Sequence, residues 1–202
     1  MRRQYLALIA FASLLGPSAC KAGVLEEFFT FGEVKIGTTT LAEAQTIYGD
    51  AKSSRTSKED GAPIAVCYFF IRDKEKVFVA LESGAMGGWE RVTSLRLSKK
   101  SLGNDCSQTK GNIAIDAGGG VRIADGQRAF KQKFGGVSFK QTSRGLAYVG
   151  ETKRTATPDE VKRMKSAHPK ETQIEFDVVV TINARFDSNR LADYRISKME
   201  SF

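Results

Sequence analysis

"ERVTSLRLSK" (residues 90–99) returns as "NRLADYRISK" (residues 189–198), with two arginines, a serine and a lysine at matching places and an offset of 99. A second pair of segments precedes them. "VKIGTTTLAEAQTIYG" (34–49) aligns with "VRIADGQRAFKQKFGG" (121–136) at an offset of 87. There Val34 falls on Val121, Ile36 on Ile123, Ala42 on Ala129, Gln45 on Gln132 and Gly49 on Gly136. Two blocks recurring in the same order indicate an internal repeat. An insertion in the second copy accounts for the larger second offset. The chain therefore divides into a first unit, 23–111, and a second, 112–202.

Each copy reads as a short strand, a helix and then antiparallel strands. In the first, Thr40 and Glu43 have capping-box spacing, Leu41, Ala44 and Ile47 recur with helical period, and Gly49 is a C-cap. The strands that follow are "AVCYFFI", "KVFVALES" and "RVTSLRLS", with the charged "IRDKEK" as a hairpin turn between the first two. In the last, Leu95 and Leu97 alternate with Ser94 and Arg96, but Val92 breaks the pattern and leaves the buried face open. In the second copy Asp125 reads as the N-cap and Gly135–Gly136 as the stop. Its strands are "GLAYVGET", "TQIEFDVVVTINARF" and "LADYRIS". Gly118, Gly119 and Gly120 join the halves as a flexible turn, because the lysine and Ser/Thr of a phosphate loop are absent. The expected class is α+β: two tandem helix-plus-antiparallel-sheet units related by internal duplication.

That plan resembles the small outer-membrane assembly lipoproteins of the BamE/SmpA type. The tandem arrangement is similar to β-lactamase inhibitor protein, which is built from two such units. The resemblance rests on pattern over most of the chain. It departs from these families where Asp50 and Ala51 follow Gly49 in place of Gly-x-Pro, and where Ala124 stands at the position of Gly37. It implies a scaffold that binds another protein. It implies no particular partner or residue role.

The N-terminus reads as an export signal, 1–22. Arg2 and Arg3 precede an 11-residue apolar core, "YLALIAFASLL" (5–15), too short for a membrane span of about 20 residues. Two cuts fit. One lies before Cys20, which would carry a lipid, with Ser18 and Ala19 as the small residues before it. The other follows Ala22. Either removes Cys20 from the cysteine count and leaves Cys67 and Cys106 to pair in an oxidising compartment, with two buried thiols as the alternative. A disulfide closing that loop would add about 4 kcal/mol. The expected place is the periplasm, tethered to the outer membrane if Cys20 is lipidated.

The full chain carries 31 Lys and Arg against 23 Asp and Glu, a net charge of +8. Outside the cytoplasm such a surface suits an envelope or exported protein, anionic lipid or a cell-wall polymer. Export argues against nucleic acid, and the membrane is reached only through the lipid anchor. No constellation for catalysis, metal or cofactor assembles. His168, in "KSAHPKE", is the single histidine, and no serine has a nucleophile-elbow context. Glu175 and Asp177 alternate along a strand and point to one face, about 6.5–7 Å apart. They read as its wet side.

Two segments read as partner contacts. One is the glycine-rich "SGAMGGWER", with Met86 and Trp89. The other is an inserted basic helix, 157–168, opened by a Thr157/Glu160 capping box and carrying Lys162, Arg163, Met164 and Lys165. The function expected is a non-enzymatic protein-binding scaffold of the cell envelope. The alternative is an inhibitor or immunity protein that blocks an exported enzyme.

Overall fold

The computed structural model describes residues 25–55, 63–84, 90–103, 105–164 and 174–201. The chain opens with a 3₁₀ turn, Glu26–Phe29, and a two-stranded ribbon, β1 (Thr30–Phe31) and β2 (Val34–Lys35). Helix α1 (Leu41–Tyr48) precedes β3 (Ser53–Arg55), β4 (Ile64–Arg72), β5 (Glu75–Ser83) and β6 (Ser94–Ser98). After the short β7 (Ser107–Gln108) come α2 (Gln127–Lys133), β8 (Lys140–Thr142), β9 (Gly145–Thr155), α3 (Pro158–Met164), β10 (Glu175–Asp187) and β11 (Arg190–Ser201).

The expected α+β class is corrected. Among the described residues strand far outweighs helix, and nine strands form one sheet in the order β3-β4-β5-β6-β11-β10-β9-β8, with β7 beside β4. Two separate helix-plus-sheet units would each leave a long closing strand with one edge unpaired, which is a liability in water. Instead the two closing strands, β6 and β11, pair antiparallel, with Arg96 opposite Arg195 at the middle of the shared stretch. The recurring sequence blocks take matching places on either side of this seam. The Gly37 amide donates to the Val92 carbonyl at 2.7 Å, and the Ala124 amide to that of Leu191 at 2.8 Å. Across the seam Lys99 donates to Ala192 and Lys198 to Thr93, both at 2.9 Å.

Alternation sorts the strand residues onto two faces. The inner face carries Val66, Tyr68 and Phe70 of β4, Val79 and Leu81 of β5, Leu95 and Leu97 of β6, Tyr194 and Ile196 of β11 and Val178–Ile182 alternates of β10, all buried. This settles the ambiguous strand around Leu95: the leucines face inward. Over this face lie Phe28 and Phe29 of the 3₁₀ turn, Ala44 and Tyr48 of α1, Phe130 of α2, Phe134 at its C-cap, and Ile115, Ala117 and Val121 of the joining segment. Phe28 stacks on Phe134 with ring centroids 4.0 Å apart, and Phe130 meets Tyr194 edge-on at 5.9 Å. One hydrophobic core therefore runs under both halves of the sheet.

Local chemistry sets the ends. Thr40 and Glu43 close the capping box as the sequence predicts, and Gly49 caps the C-terminus at φ +100°. The β4–β5 turn places Asp73 and Lys74 at positive φ, and the β10–β11 turn does the same with Ser188 and Asn189, the two-residue geometry that suits strand twist. Asp125 does not cap α2: Gly126 occupies that place, and the Asp125 carboxylate instead accepts from the Arg122 amide at 2.8 Å and from Lys133 Nζ at 2.6 Å.

Two of the three glycines of the joining segment, Gly118 and Gly119, serve contact rather than flexibility. A Cβ on Gly118 would lie 1.7 Å from the Glu27 carbonyl oxygen, and one on Gly119 would lie 2.0 Å from Phe28 Cε1. Only bare backbone lets this segment pass beneath the 3₁₀ turn. Gly119 also sits at φ +65°, and Ala124 at φ +75° holds the left-handed conformation that Gly37 takes at φ +83°. Gly119→Ala is expected to cost about 3 kcal/mol through backbone strain and overpacking. Ala124→Gly is expected to gain about 0.5–1 kcal/mol by relieving strain. Urea unfolding of both variants checks the pair, and an unchanged midpoint for Gly119→Ala would contradict the packing described.

Candidate functional site

The opposite, outer face of the sheet carries a different set. Phe69 and Phe78 face each other across β4 and β5, with Ile71 beside them. Glu82, Ser94 and Arg96 lie on β5 and β6, and Asp193, Arg195, Ser197 and Met199 on β11. Val179 and Thr181 of β10 and Val149 and Glu151 of β9 complete it. None of the three described helices packs here. Tyr48 of α1 and Phe130 of α2 meet inner-face rings. Glu160 of α3 takes both guanidinium nitrogens of Arg154, at 2.8 and 2.9 Å, on that same inner side.

Electrostatics organise the centre. Arg96 and Arg195 stand directly opposite each other across the seam, an arrangement that repulsion would disfavour. Each is neutralised from below. Arg96 donates to Asp193 through Nε at 3.1 Å and Nη2 at 2.7 Å. Arg195 donates through Nη2 to Glu82 and through Nε to Ser94 Oγ at 3.0 Å. The acids are the sunken partners, with side chains 14% and 10% exposed for Asp193 and Glu82, against 42% and 45% for Arg96 and Arg195. The hydrogen bonds to Asp193 raise the Arg96 pKa, against a smaller opposing effect of burial. The result is two half-exposed guanidinium groups held edge-up at the middle of a sheet.

Beside them lies a depression of about 570 Å³ walled by Lys52, Arg55, Leu102 and Asp105, with Glu82, Arg96 and Arg195 in its lining. Lys52 pairs with Asp105 at 3.1 Å. The Cys67–Cys106 disulfide, with Cα atoms 4.5 Å apart, fixes this wall. Cys67 points outward from β4, and the bond brings the segment containing β7 alongside that strand. The pairing expected from the cysteine count is therefore present. Its loop closure holds the rim of the depression as well as the fold.

The other sequence candidates fall elsewhere. Cys20, Met86, Trp89, Lys165 and His168 lie outside the described residues. The inserted helix is α3, described over Pro158–Met164 and so containing Arg163, with Lys162 exposed. Its capping box forms: the Thr157 amide donates to Glu160 at 2.9 Å. The same carboxylate is held down to a pKa of about 2, first by its hydrogen bonds from Arg154. Glu200 takes Arg154 as well and is bound by Lys198 at 3.0 Å. Helix α3 is thus clamped to β9 and β11 by an ion network. Glu175 and Asp177 are exposed on the outer face with Lys153 Nζ 3.8 and 3.9 Å away, the wet side that their alternation suggested.

Among the described residues, no group of three His, Cys, Asp or Glu side chains could hold a metal ion, and no helix is long and apolar enough to cross a membrane. Sequence reading missed the arginine pair. Its signal was the repeat itself: Arg96 and Arg195 are one of the two matched arginine pairs of the recurring block. Comparison with protein-family models, with curated proteins and with solved structures gives no match.

Replacing Asp193 leaves Arg96 unpaired beside Arg195. Asp193→Asn is expected to cost about 1–3 kcal/mol. Adding Arg96→Gln, which removes the stranded charge, is expected to recover most of that loss. Equilibrium urea unfolding of the two single variants and the double variant measures the coupling, and purely additive losses would contradict the ion-pair geometry.

Proposed function

We propose that the chain is an exported protein-binding scaffold of the cell envelope, and that it holds its partner against the outer face of the sheet. The observation that supports this most is the composition of that face. It is broad and lacks a helical cover among the described residues. Exposed apolar side chains flank it, Ile71 at 45% exposure on one side and Val149 at 65% on the other, with buttressed arginines between them. Apolar flanks around oriented guanidinium groups are the composition of a protein interface, where arginine and large apolar residues are enriched. Export follows from the reading of residues 1–22, and the disulfide supports it, since such bonds persist outside the reducing cytoplasm.

The net positive charge favours a partner with an acidic surface, because complementary fields speed and orient association. Inhibition of an exported enzyme is the second reading. It is favoured by the depression beside Arg96 and Arg195, which is large enough to receive a projecting loop.

The test is capture from the host's own envelope, followed by direct titration of each captured protein in purified form. Ile71→Arg on β4 and Met199→Arg on the central strand β11 place bulky charges at two separate points of the face without touching the core. Either is expected to weaken binding at least about tenfold, with thermal stability unchanged. A partner whose affinity both variants leave intact does not use this face, and the proposal fails. Loss of the partner's catalytic activity on titration would establish the inhibitor reading in place of the scaffold.

A further inference from the structure

The two edges of the sheet are finished differently. On one side, β4 is covered along its outer edge by β3 at Ile64–Val66 and by β7 at Tyr68 and Phe69, the latter tied in by the disulfide. On the other, β8 covers β9 only at Gly145, Leu146 and Ala147. From residue 149 to residue 155 the far side of β9 pairs with no strand among the described residues, although its near side is bonded to β10 throughout. Every second residue of such an edge presents its amide and carbonyl outward, ready for another strand.

We propose that this edge is a homodimer interface: β9 of one copy pairs antiparallel with β9 of a second copy about a two-fold axis normal to the sheet. The charges on β9 select the register. Residues of like parity lie opposite each other when both outer faces stay on the same side. Centring the pair on Glu151 or on Lys153 sets like charges face to face, which is destabilising. Centring it on Thr152 sets Glu151 opposite the Lys153 of the second copy and repeats that contact by symmetry, with Val149 opposite Thr155. This register is isologous and closes at two copies. Glu151 has no ion pair among the described residues, and Lys153, which is exposed and reaches Glu175 and Asp177 of its own copy only at 3.8 and 3.9 Å, is the countercharge the second copy supplies. Of the registers centred on residues 151, 152 and 153, the lysine and glutamate that guard the edge thus permit only the one on Thr152. The dimer joins the two outer faces into one surface, independently of what that surface binds.

Sedimentation equilibrium of the purified protein across a concentration series tests this. The wild type is expected to move from the mass of one chain toward that of two. Glu151→Lys and Lys153→Glu, both at exposed positions, are each expected to raise the dimer dissociation constant at least about tenfold by facing like charges. An equimolar mixture of these two variants restores both opposite-charge contacts and is expected to dimerise again as a heterodimer. A single-chain mass at every concentration overturns the proposal. So do variants that dimerise like the wild type, or a mixture that stays monomeric.

Discussion

The contact between β6 and β11 governs the molecule. Each strand closes one half of the chain, and each would otherwise end in an unpaired edge. Their pairing merges two sets of strands into one sheet and lets a single core form beneath it. It also forces Arg96 and Arg195 into opposition at the middle of the sheet. That repulsion is tolerable because Asp193 and Glu82 sit beneath the guanidinium groups and accept their hydrogen bonds. An ion pair whose acids are sunken and whose arginines remain half hydrated avoids most of the desolvation cost of a fully buried pair. The same arrangement leaves donors facing outward, where a partner would meet them.

The two faces follow from this in opposite ways. Inward, aromatic rings dominate: Phe28, Phe130, Phe134 and Tyr194 meet where the seam passes over α2. The Tyr194 hydroxyl is fully buried there without a hydrogen-bond partner among the described residues, a polar group kept within the apolar core. Outward, the strands carry serines, the Arg96–Asp193 and Arg195–Glu82 ion pairs, and scattered apolar side chains such as Phe69, Ile71, Val149 and Met199. The disulfide belongs to this side, since it pins the rim of the depression next to the arginines.

Much of the local structure was legible in the sequence. Capping boxes at Thr40/Glu43 and Thr157/Glu160, the hairpin at Asp73–Lys74 and the long strands rest on short-range rules that neighbouring residues satisfy by themselves, while the cysteine pair, 39 residues apart, followed from the count once Cys20 was set aside. The architecture was not legible in the same way. Pattern located the closing strands but not which edge each would seek, because edge pairing is decided by the whole chain's need to leave no long strand unpaired. The three glycines misled for a related reason. A Gly-Gly-Gly run suggests freedom, yet the close approach of Glu27 and Phe28, remote in sequence, is what demands Gly118 and Gly119. Of the site, the repeat flagged Arg96 and Arg195 as equivalent, but only the register placed them opposite each other and found Asp193 and Glu82 beneath them.

Native-state hydrogen exchange tests the single-sheet account most directly. If the seam joins both halves into one cooperative unit, the amides of β5, β6, β10 and β11 exchange only through global opening, at one common free energy that falls in parallel with added denaturant. If the strands of β4–β6 and those of β9–β11 instead show two distinct opening energies with different denaturant slopes, the halves unfold separately and the seam does not hold the sheet together.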